Sequence, residues 1–286
     1  MNLKNKYQNL IEKNNAIIAA NFYNLETLKG LLSAASESNS SLILQLSKSS
    51  VKYIGLNTAV AMAKAAIKEY GVNAWLHLDH GNSIELVKQC LDAGFDSVMI
   101  DGSELPFNEN VELTASVVEL AKNYDVPVEG ELGYIAKLGQ EQNTKENHTT
   151  IEEAKQFVEL TNVNALAIAV GTAHGFYKET PELNFKRISE IREALPDTVL
   201  VLHGSSGIHH DDVKKAISHG INKINVATEF KNIFMKSLRN ILNSTDNIDL
   251  REVFPEAINN VKELAKTKLE LTKYINTKTL FNGIDS

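Results

Sequence analysis

The sequence has little of what a disulfide-stapled, membrane-spanning or nucleic-acid-binding protein needs. Its one cysteine, Cys90, excludes an internal disulfide and a cysteine-rich zinc site, and fits a reducing compartment. No run approaches the roughly 20 apolar residues of a membrane span, and residues 1–13 are too polar for a signal peptide. The net charge of −7 lacks the basic footprint of a nucleic-acid-binding surface. We therefore expect a cytoplasmic protein that acts on neither nucleic acid nor membranes.

The chain is long enough to bury a large core without disulfide bonds or structural metal ions to stabilise it. It has 286 residues, of which 43% are hydrophobic and 23% are charged, as in ordinary globular proteins. No low-complexity linker divides it, and the most polar stretch, residues 139–150, is typical of a long loop. We therefore expect one domain over residues 1–286.

Short apolar runs of β type recur along the chain, and amphipathic helical patterns lie between them. The runs span residues 16–22, 42–47, 74–79, 97–101, 127–132, 165–171, 199–204 and 223–228, and the patterns span 25–38, 58–70, 83–93, 110–124, 151–161, 185–195 and 211–219. Near-continuous apolar strands alternating with helices are typical of a covered parallel sheet. Eight such units favour a closed barrel over an open sheet. The sequence thus predicts an α/β fold, a (β/α)8 TIM barrel, with two additional C-terminal helices at 229–242 and 255–274.

Three histidines, each followed by glycine, lie at the ends of the third, sixth and seventh runs: His80, His174 and His203. In a barrel of this kind, the C-terminal ends of the strands gather at one mouth. Three imidazoles that leave a fourth position open are typical of a catalytic zinc site. The alternative, three isolated polar residues at loop starts, is the weaker interpretation because all three lie at the same depth.

The other five histidines favour ordinary positions. His77 lies two residues before Asp79 in the third strand and is expected to be packed and hydrogen-bonded. The remaining four lie in polar stretches and are expected at the surface: His148, His209, His210 and His219.

Small and polar residues follow the seventh and eighth strands. The segments are GSSG at 204–207 and NVAT at 225–228, and each leads into a helix. Loops at these places often bind phosphate in barrels, and glycine lets backbone N–H groups approach a ligand closely. Such turns are also ordinary connections. Together with the histidines they favour a substrate that carries phosphate and metal-binding oxygens, which local amides can bind despite the negative net charge.

Six ordered motifs on six strands resemble the class II fructose- and tagatose-bisphosphate aldolases. They are LHLDHG at 76–81, DGSELPFNENV at 101–111, EGELG at 129–133, GTAHGFY at 171–177, LHGSSG at 202–207 and KINVATE at 223–229. GTAHG and NVATE are more similar to the tagatose-bisphosphate branch. The resemblance implies reversible cleavage of a ketose 1,6-bisphosphate, tagatose or fructose, into dihydroxyacetone phosphate and glyceraldehyde 3-phosphate.

The resemblance also implies a metal and an acid–base residue. The three histidines above would bind Zn²⁺, which polarises the ketone and stabilises an enediolate without a covalent intermediate. A monovalent cation, Na⁺ or K⁺, is a further candidate cofactor. Asp79 would move a proton at the C4 hydroxyl, with orientation of a histidine as the alternative role. Asp101 and Glu131 are similar to family residues near the metal, which act as alternative ligands or contact the ligands.

Substrate contacts are implied around the whole mouth. Asn225 would contact the triose carbon chain, and Asn21 matches a residue near the distal phosphate. Arg251 would reach that phosphate from a neighbouring subunit of a homodimer or homotetramer, although Leu250 replaces the family's proline beside it. The remaining candidates would bind the phosphate of the dihydroxyacetone half: Ser47, Gly175, Lys178, Gly204, Ser205, Ser206, Val226, Ala227 and Thr228.

Two segments depart from the family pattern. Glu104 follows Ser103 where the family usually has a histidine, which bears on metal affinity or substrate choice. The loop after the fifth strand reads LGQEQ at 138–142, with two extra residues before its glutamate. Glu141 is therefore a candidate for the base at the triose carbon.

Other functions fit the sequence less well. A Schiff-base aldolase needs a lysine at a strand end inside the barrel. The six strands with the clearest motifs offer none, and Lys223 is expected to begin the eighth strand. A zinc amidohydrolase usually has His-x-His on the first strand, where this chain has AANF at 19–22. An aldolase for a related phosphorylated keto-sugar, or a catalytically weak barrel that binds phosphosugars, remains an alternative.

Overall fold

The fold is a closed barrel of eight parallel strands in chain order, in which the last strand pairs with the first. The computed structural model describes residues 2–133, 148–173, 175 and 181–273. The strands are β1 Ile17–Asn21, β2 Leu42–Ser47, β3 Ala74–Gly81, β4 Ser97–Ile100, β5 Val128–Leu132, β6 Ala165–Ile168, β7 Val199–Leu202 and β8 Ile221–Val226. The predicted (β/α)8 barrel is confirmed.

The described residues form eleven helices. They are α1 Leu3–Glu12, α2 Leu25–Glu37, α3 Lys48–Ile54, α4 Leu56–Tyr70, α5 Ile84–Ala93, α6 Phe107–Lys122, α7 Ile151–Thr161, α8 Phe185–Ala194, α9 His210–Ser218, α10 Thr228–Leu242 and α11 Leu250–Glu270. The sequence patterns do not include α1, whose apolar residues are few, or α3, which is too short to show a period. The helix expected from residue 255 begins at Leu250, because the Asp249 side chain caps its first turn.

Caps explain where several helices begin and end. The Asn24 and Thr150 side chains accept hydrogen bonds from backbone N–H groups three residues later, in capping boxes that start α2 and α7. The Ser83 hydroxyl oxygen accepts a hydrogen bond from the Leu86 N–H at the start of α5. Gly71 and Gly94 adopt left-handed conformations directly after α4 and α5, where glycine is free of Cβ strain.

Neighbouring strand residues belong to two different cores. Ile17, Ala19 and Trp75 lie in a cluster inside the barrel, whereas Ile18 and Leu76 pack outward with the helices. Odd-numbered residues of the strands therefore face the interior. From α1, three residues join the interior cluster and close the N-terminal end of the barrel: Leu3, Tyr7 and Leu10.

The barrel interior becomes polar toward the C-terminal ends of the strands. A set of charged and polar side chains is buried there: Asn21, Gln45, His77, Asp79, Ser97, Glu129, Glu131, His203, Lys223 and Asn225. All are odd-numbered, as the strand alternation requires. Buried polar groups need partners, and several of these side chains hydrogen-bond to one another, such as His77 to Ser97 and Lys223 to Glu129.

The two C-terminal helices cover one side of the barrel. α11 packs against α2 and α10, and Gly30 of α2 allows the close approach, since a Cβ there would lie 2.7 Å from Val261 Cγ1. Within the described ranges, no helix combines the length and apolar character that crossing a membrane requires.

Candidate active site

Strand β3 brings two adjacent residues, Asp79 and His80, to one site. Neighbouring side chains of a regular strand face opposite sides, so an inward Asp79 would leave His80 outward. The pairing of β3 with β4 shifts register between Leu78 and Gly81, and His80 has φ 49°, an uncommon conformation for a residue other than glycine. This bulge places the His80 ring in the mouth, with Nε2 4.0 Å from Asp79 Oδ1.

The glycine after His80 is required by the neighbouring strand. A Cβ on Gly81 would lie 2.4 Å from the Met99 carbonyl oxygen, far inside contact distance. The Gly81 carbonyl accepts a hydrogen bond from the Asp101 N–H at 2.8 Å. Close approach of the two strands therefore explains this glycine.

His80 and His203 converge in a pocket of carboxylates. His80 Nε2 lies 3.1 Å from His203 Nδ1. Glu131 Oε2 lies 3.4 Å from His203 Nδ1, and one ligand atom from each of these three residues falls within 4.8 Å of the others. Nitrogen and carboxylate donors at this spacing fit a divalent metal ion such as zinc. His174, the third predicted ligand, lies outside the described residues.

The charges around the two histidines favour a cation. Burial lowers the pKa of His80, but Asp79, Asp101 and Glu131 outweigh burial and raise it to about 10. Burial, with Asp101, raises the pKa of Glu131 to about 8. Glu131 Oε2 is buried and accepts no hydrogen bond from the described residues. A metal ion would supply the positive charge and partner this oxygen.

Asp101 orients His80 from the far side of its ring. Asp101 Oδ2 lies 2.7 Å from His80 Nδ1. The Ser103 hydroxyl and backbone N–H donate to the other carboxylate oxygen. With Nδ1 held by a carboxylate, Nε2 is the nitrogen directed at His203.

A buried ion pair between Glu129 and Lys223 contacts the His203 ring on the side away from His80. His203 Nε2 lies 2.9 Å from Glu129 Oε1, and Lys223 Nζ donates to Glu129 Oε2 at 2.7 Å. The Lys223 and His203 side chains are fully buried. With Nε2 beside Glu129 and the Asn225 amide, Nδ1 is the nitrogen that faces His80. Neither Glu129 nor Lys223 is among the predicted site residues, although each lies two residues before a predicted one, Glu131 or Asn225, and so on the same inner face.

The expectation that Lys223 begins the eighth strand is wrong. β8 starts at Ile221, so Lys223 points into the barrel interior. Its amine is bound to Glu129, and Lys223 is not among the residues that line the cavity at the mouth. A paired, fully buried ammonium is not the exposed amine that a Schiff base requires.

His77 is a packed, hydrogen-bonded residue, as expected. Its side chain is fully buried and its Nδ1 lies 2.7 Å from the Ser97 hydroxyl oxygen. Burial, reinforced by Lys223, lowers the pKa of His77 well below its usual value. His209, also as expected, is exposed, and it caps α9.

Asp79 is held by three amides on three neighbouring strands. Asn21 donates to Oδ2 at 2.8 Å, while Gln45 and Asn225 donate to Oδ1 at 3.2 and 3.3 Å. Burial raises the pKa of Asp79, but His80 and the other neighbours outweigh burial and leave it below its usual value. Asp79 is therefore an ionised carboxylate with a fixed orientation, able to accept a proton.

One cavity at the mouth is lined largely by the predicted site residues. Its lining is Asn21, Asp79, His80, Gly175, Gly204, Ser205, Ser206, Asn225, Ala227 and Thr228. The predicted metal residues His203, Asp101 and Glu131 are not in this lining, and neither are three of the described substrate-binding candidates. Ser47 caps α3, the Val226 side chain packs in the outer core, and Arg251 is 89% exposed and paired with Asp249. Lys178 and Glu141 lie outside the described residues.

The loops after β7 and β8, residues 204–207 and 225–228, are linked by hydrogen bonds from their own and adjacent residues. Ser205 Oγ donates to the Asn225 carbonyl at 2.5 Å, so this hydroxyl proton is used within the protein. The Gly207 N–H donates to Glu229 Oε1 at 2.6 Å. Gly204 has φ 64°, and a Cβ there would lie 2.5 Å from the Ala173 carbonyl oxygen. These contacts bring Ser206 and Thr228 to the same cavity.

Comparisons with known proteins identify the family of this chain. The family model of class II fructose-bisphosphate aldolase matches residues 1–277. The YdjI aldolase from Escherichia coli K12 is 33% identical, with a TM-score of 0.83 over 94% of this chain and 95% of that one. A putative fructose-1,6-bisphosphate aldolase from Coccidioides immitis is 28% identical, with a TM-score of 0.84 over 93% and 94%.

A more distant structure shares the fold. Fructose-bisphosphate aldolase from Campylobacter jejuni is 22% identical, with a TM-score of 0.80 over 94% of this chain and 93% of that one. The match of the family model over nearly the whole sequence is the decisive finding. The chain belongs to the class II fructose-bisphosphate aldolase family.

Proposed function

We propose that this protein is a zinc-dependent aldolase that reversibly cleaves a ketose 1,6-bisphosphate, tagatose or fructose 1,6-bisphosphate, into dihydroxyacetone phosphate and glyceraldehyde 3-phosphate. The observation that carries the proposal is one cavity lined by an ionised Asp79, by His80 and by both small-residue loops. The YdjI aldolase and the Coccidioides immitis protein, named as a putative fructose-1,6-bisphosphate aldolase, support aldol cleavage as the reaction.

Zinc would be held by the converging imidazoles. His80 would bind through Nε2 and His203 through Nδ1, the two atoms that face each other across 3.1 Å. His174 is the proposed third ligand, and Glu131 is an alternative donor. When bound, zinc supplies Lewis-acid stabilisation of the negative charge that develops on the ketone oxygen. Na⁺ or K⁺ is a candidate for an additional cofactor.

Asp79 would perform the proton transfer at C4. In the cleavage direction, the C4 hydroxyl gives its proton to the Asp79 carboxylate while the C3–C4 bond breaks and C4 becomes the aldehyde carbon. The three amides that hold Asp79 keep its orientation constant during the transfer. Protonation of C3 needs a second group, for which Glu141 is the candidate.

The loops after β7 and β8 would bind the phosphate of the dihydroxyacetone half. α10 begins at Thr228, so its first N–H groups and the positive end of its helix dipole point toward this cavity. Ser206 and Gly204 approach from the other loop. Asn21 would lie nearer the distal phosphate, which Arg251 of a neighbouring subunit would also contact.

A metal-removal experiment tests the proposed function. The protein is assayed with tagatose and fructose bisphosphates by coupled detection of triose phosphates, before and after EDTA treatment and after zinc is restored. We expect activity to disappear with the metal and to return with zinc. Unchanged cleavage after complete zinc removal contradicts the proposal. Binding of both sugars without turnover by the zinc-loaded protein supports a phosphosugar-binding barrel instead.

Substrate choice is tested in the same assay. The two bisphosphates differ only in configuration at C4, the carbon whose hydroxyl would face Asp79. Because the carboxylate is fixed by three amides, it would serve one configuration better than the other. Comparison of kcat/KM identifies that configuration, and on the motif resemblance we expect tagatose bisphosphate to be preferred.

A further inference from the structure

A buried ion pair connects the C-terminal helix α11 with the loop after β7. Lys268 of α11 lies with its Nζ 2.6 Å from Glu229 Oε2, and the two side chains are only 5% and 12% exposed. The other oxygen of Glu229 accepts the Gly207 N–H at 2.6 Å. The chain of contacts thus runs from α11 through one carboxylate to a backbone amide of the loop.

This carboxylate stands beside the place proposed for the substrate phosphate. Glu229 follows Thr228, and Gly207 follows Ser206; both Thr228 and Ser206 line the cavity. Without a positive partner, a carboxylate in the first turn of α10 would repel an anion at the same helix end. Lys268 supplies that partner.

Anchoring of α11 does not explain the buried lysine. The helix is already held by buried apolar residues: Val253, Ala257, Val261, Ala265 and Leu269. Surface ion pairs join Lys262 and Lys266 of the same helix to Glu37 of α2. Removing a lysine from water is costly, and an apolar side chain would usually pack there at no loss of stability. The charge of Lys268 therefore needs another explanation.

We propose that Lys268 is a positioning residue for substrate phosphate. By neutralising Glu229 and holding it on the Gly207 amide, Lys268 keeps the loop at 204–207 in its phosphate-binding shape and removes charge repulsion at the α10 N-terminus. This inference rests on the proposed function, since it takes the phosphate to bind at these two loops.

The test compares phosphate-bearing and phosphate-free ligands in the zinc-loaded full-length protein. In Lys268→Met, we expect about a tenfold rise in KM for the bisphosphate and in the dissociation constant of glycerol 3-phosphate measured by calorimetry, with kcat within about twofold. Inhibition by acetohydroxamate, which binds metal but carries no phosphate, should be unchanged. A role limited to holding α11 would affect all ligands alike or none.

Three further variants complete the test. Lys266→Met, on the same helix at the surface, is the matched control and should behave as wild type. Lys268→Arg should retain phosphate affinity. In Lys268→Met/Glu229→Gln, the amide oxygen can still accept the Gly207 N–H without a negative charge, so affinity should recover to within about threefold of wild type. Lys268→Met leaves the buried Glu229 charged and without its lysine, which could prevent folding. The double variant lacks that charge, so it can be measured even if Lys268→Met fails to fold.

The outcomes separate this inference from the proposed function. Equal glycerol 3-phosphate affinity in Lys268→Met and Lys266→Met overturns the role of Lys268, whatever the sugar substrate is. A double variant as weak as Lys268→Met also overturns it, since the repulsion would then not arise from Glu229. Failure of the wild-type protein to cleave either bisphosphate refutes the proposed reaction, while the calorimetric comparison still decides the role of Lys268.

Discussion

Asp79 combines burial, negative charge and a fixed orientation. An isolated carboxylate in this position would take up a proton rather than stay charged. The amides of Asn21, Gln45 and Asn225 and the nearby imidazoles reverse that tendency. The cost of burying the charge is offset by contacts that also determine where the carboxylate points.

Replacement of Asp79 by alanine should leave the metal in place but nearly abolish turnover. A positioned acid–base group typically contributes about 10²–10⁴-fold to the rate, so kcat should fall by that amount. Zinc content by atomic absorption and kcat with the bisphosphate are the measurements. An unchanged kcat would assign Asp79 to orientation of a neighbouring histidine instead.

Lys223 and Glu129 form a deeply buried ion pair beside His203, with side chains 0% and 1% exposed. Lys223→Met leaves Glu129 charged and without its lysine, so the free energy of unfolding should fall by about 3–5 kcal/mol. Urea unfolding measures the change. The control is Lys88→Met, which removes an exposed pair with Asp92 and should cost no more than about 1 kcal/mol. Equal effects of the two variants would contradict the prediction.

At the scale of the element, the end of β3 differs from an ordinary strand. The register shift and the left-handed backbone of His80 bring two consecutive side chains into one mouth. The arrangement needs glycine at position 81, because β4 passes too close for a Cβ.

Gly81→Ala should therefore damage both stability and the site. Its Cβ would collide with the Met99 backbone and push β3 away from β4, at a cost of about 2–3 kcal/mol. Gly71→Ala is the control: a Cβ there meets nothing within 4 Å, and only left-handed strain of about 1–2 kcal/mol applies. Zinc stoichiometry separates the two, since only Gly81→Ala should lose metal. Full zinc binding by Gly81→Ala would show that His80 tolerates a regular strand end.

The sequence predicts elements better than it predicts their register. All eight apolar runs correspond to strands, because buried parallel strands read as continuous hydrophobic segments. The sequence pattern starts β8 two residues late, since Ile221 and Asn222 resemble the end of the preceding turn. It therefore places Lys223 at the edge of the barrel instead of within it. The bulge at His80 was also hidden, because it depends on the distance to β4 rather than on local residue types.

At the scale of the whole molecule, the apolar closure formed by α1 and the cavity of the candidate site lie at opposite ends of the barrel. α1 closes the N-terminal end with Leu3, Tyr7 and Leu10, while the cavity opens at the C-terminal ends of the strands. The sequence motifs point to the second end, since loops after strands carry the polar residues. They do not point to α1, because the role of its three apolar side chains is evident only once the barrel interior against which they pack is known.

Leu10→Ala should consequently lower stability without changing catalysis. Loss of a buried leucine typically costs about 2–5 kcal/mol, and Leu10 is 3% exposed. Thermal unfolding and kcat/KM are the two measurements. A substantial fall in kcat/KM at a temperature where the variant is folded would show that the two ends of the barrel are coupled.

The alternation of the strands also bears on how such a protein can change over generations. Inward positions, such as Gln45, contact the site, whereas outward positions, such as Leu46 and Val98, pack in the outer core. Substitutions of the two kinds can accumulate independently, so a new substrate preference does not require a rebuilt outer layer. His80 is the exception. Its place in the site depends on the bulge at the end of β3, where Gly81 packs closely against the Met99 backbone and the outer-core side chains of Leu78 and Val87.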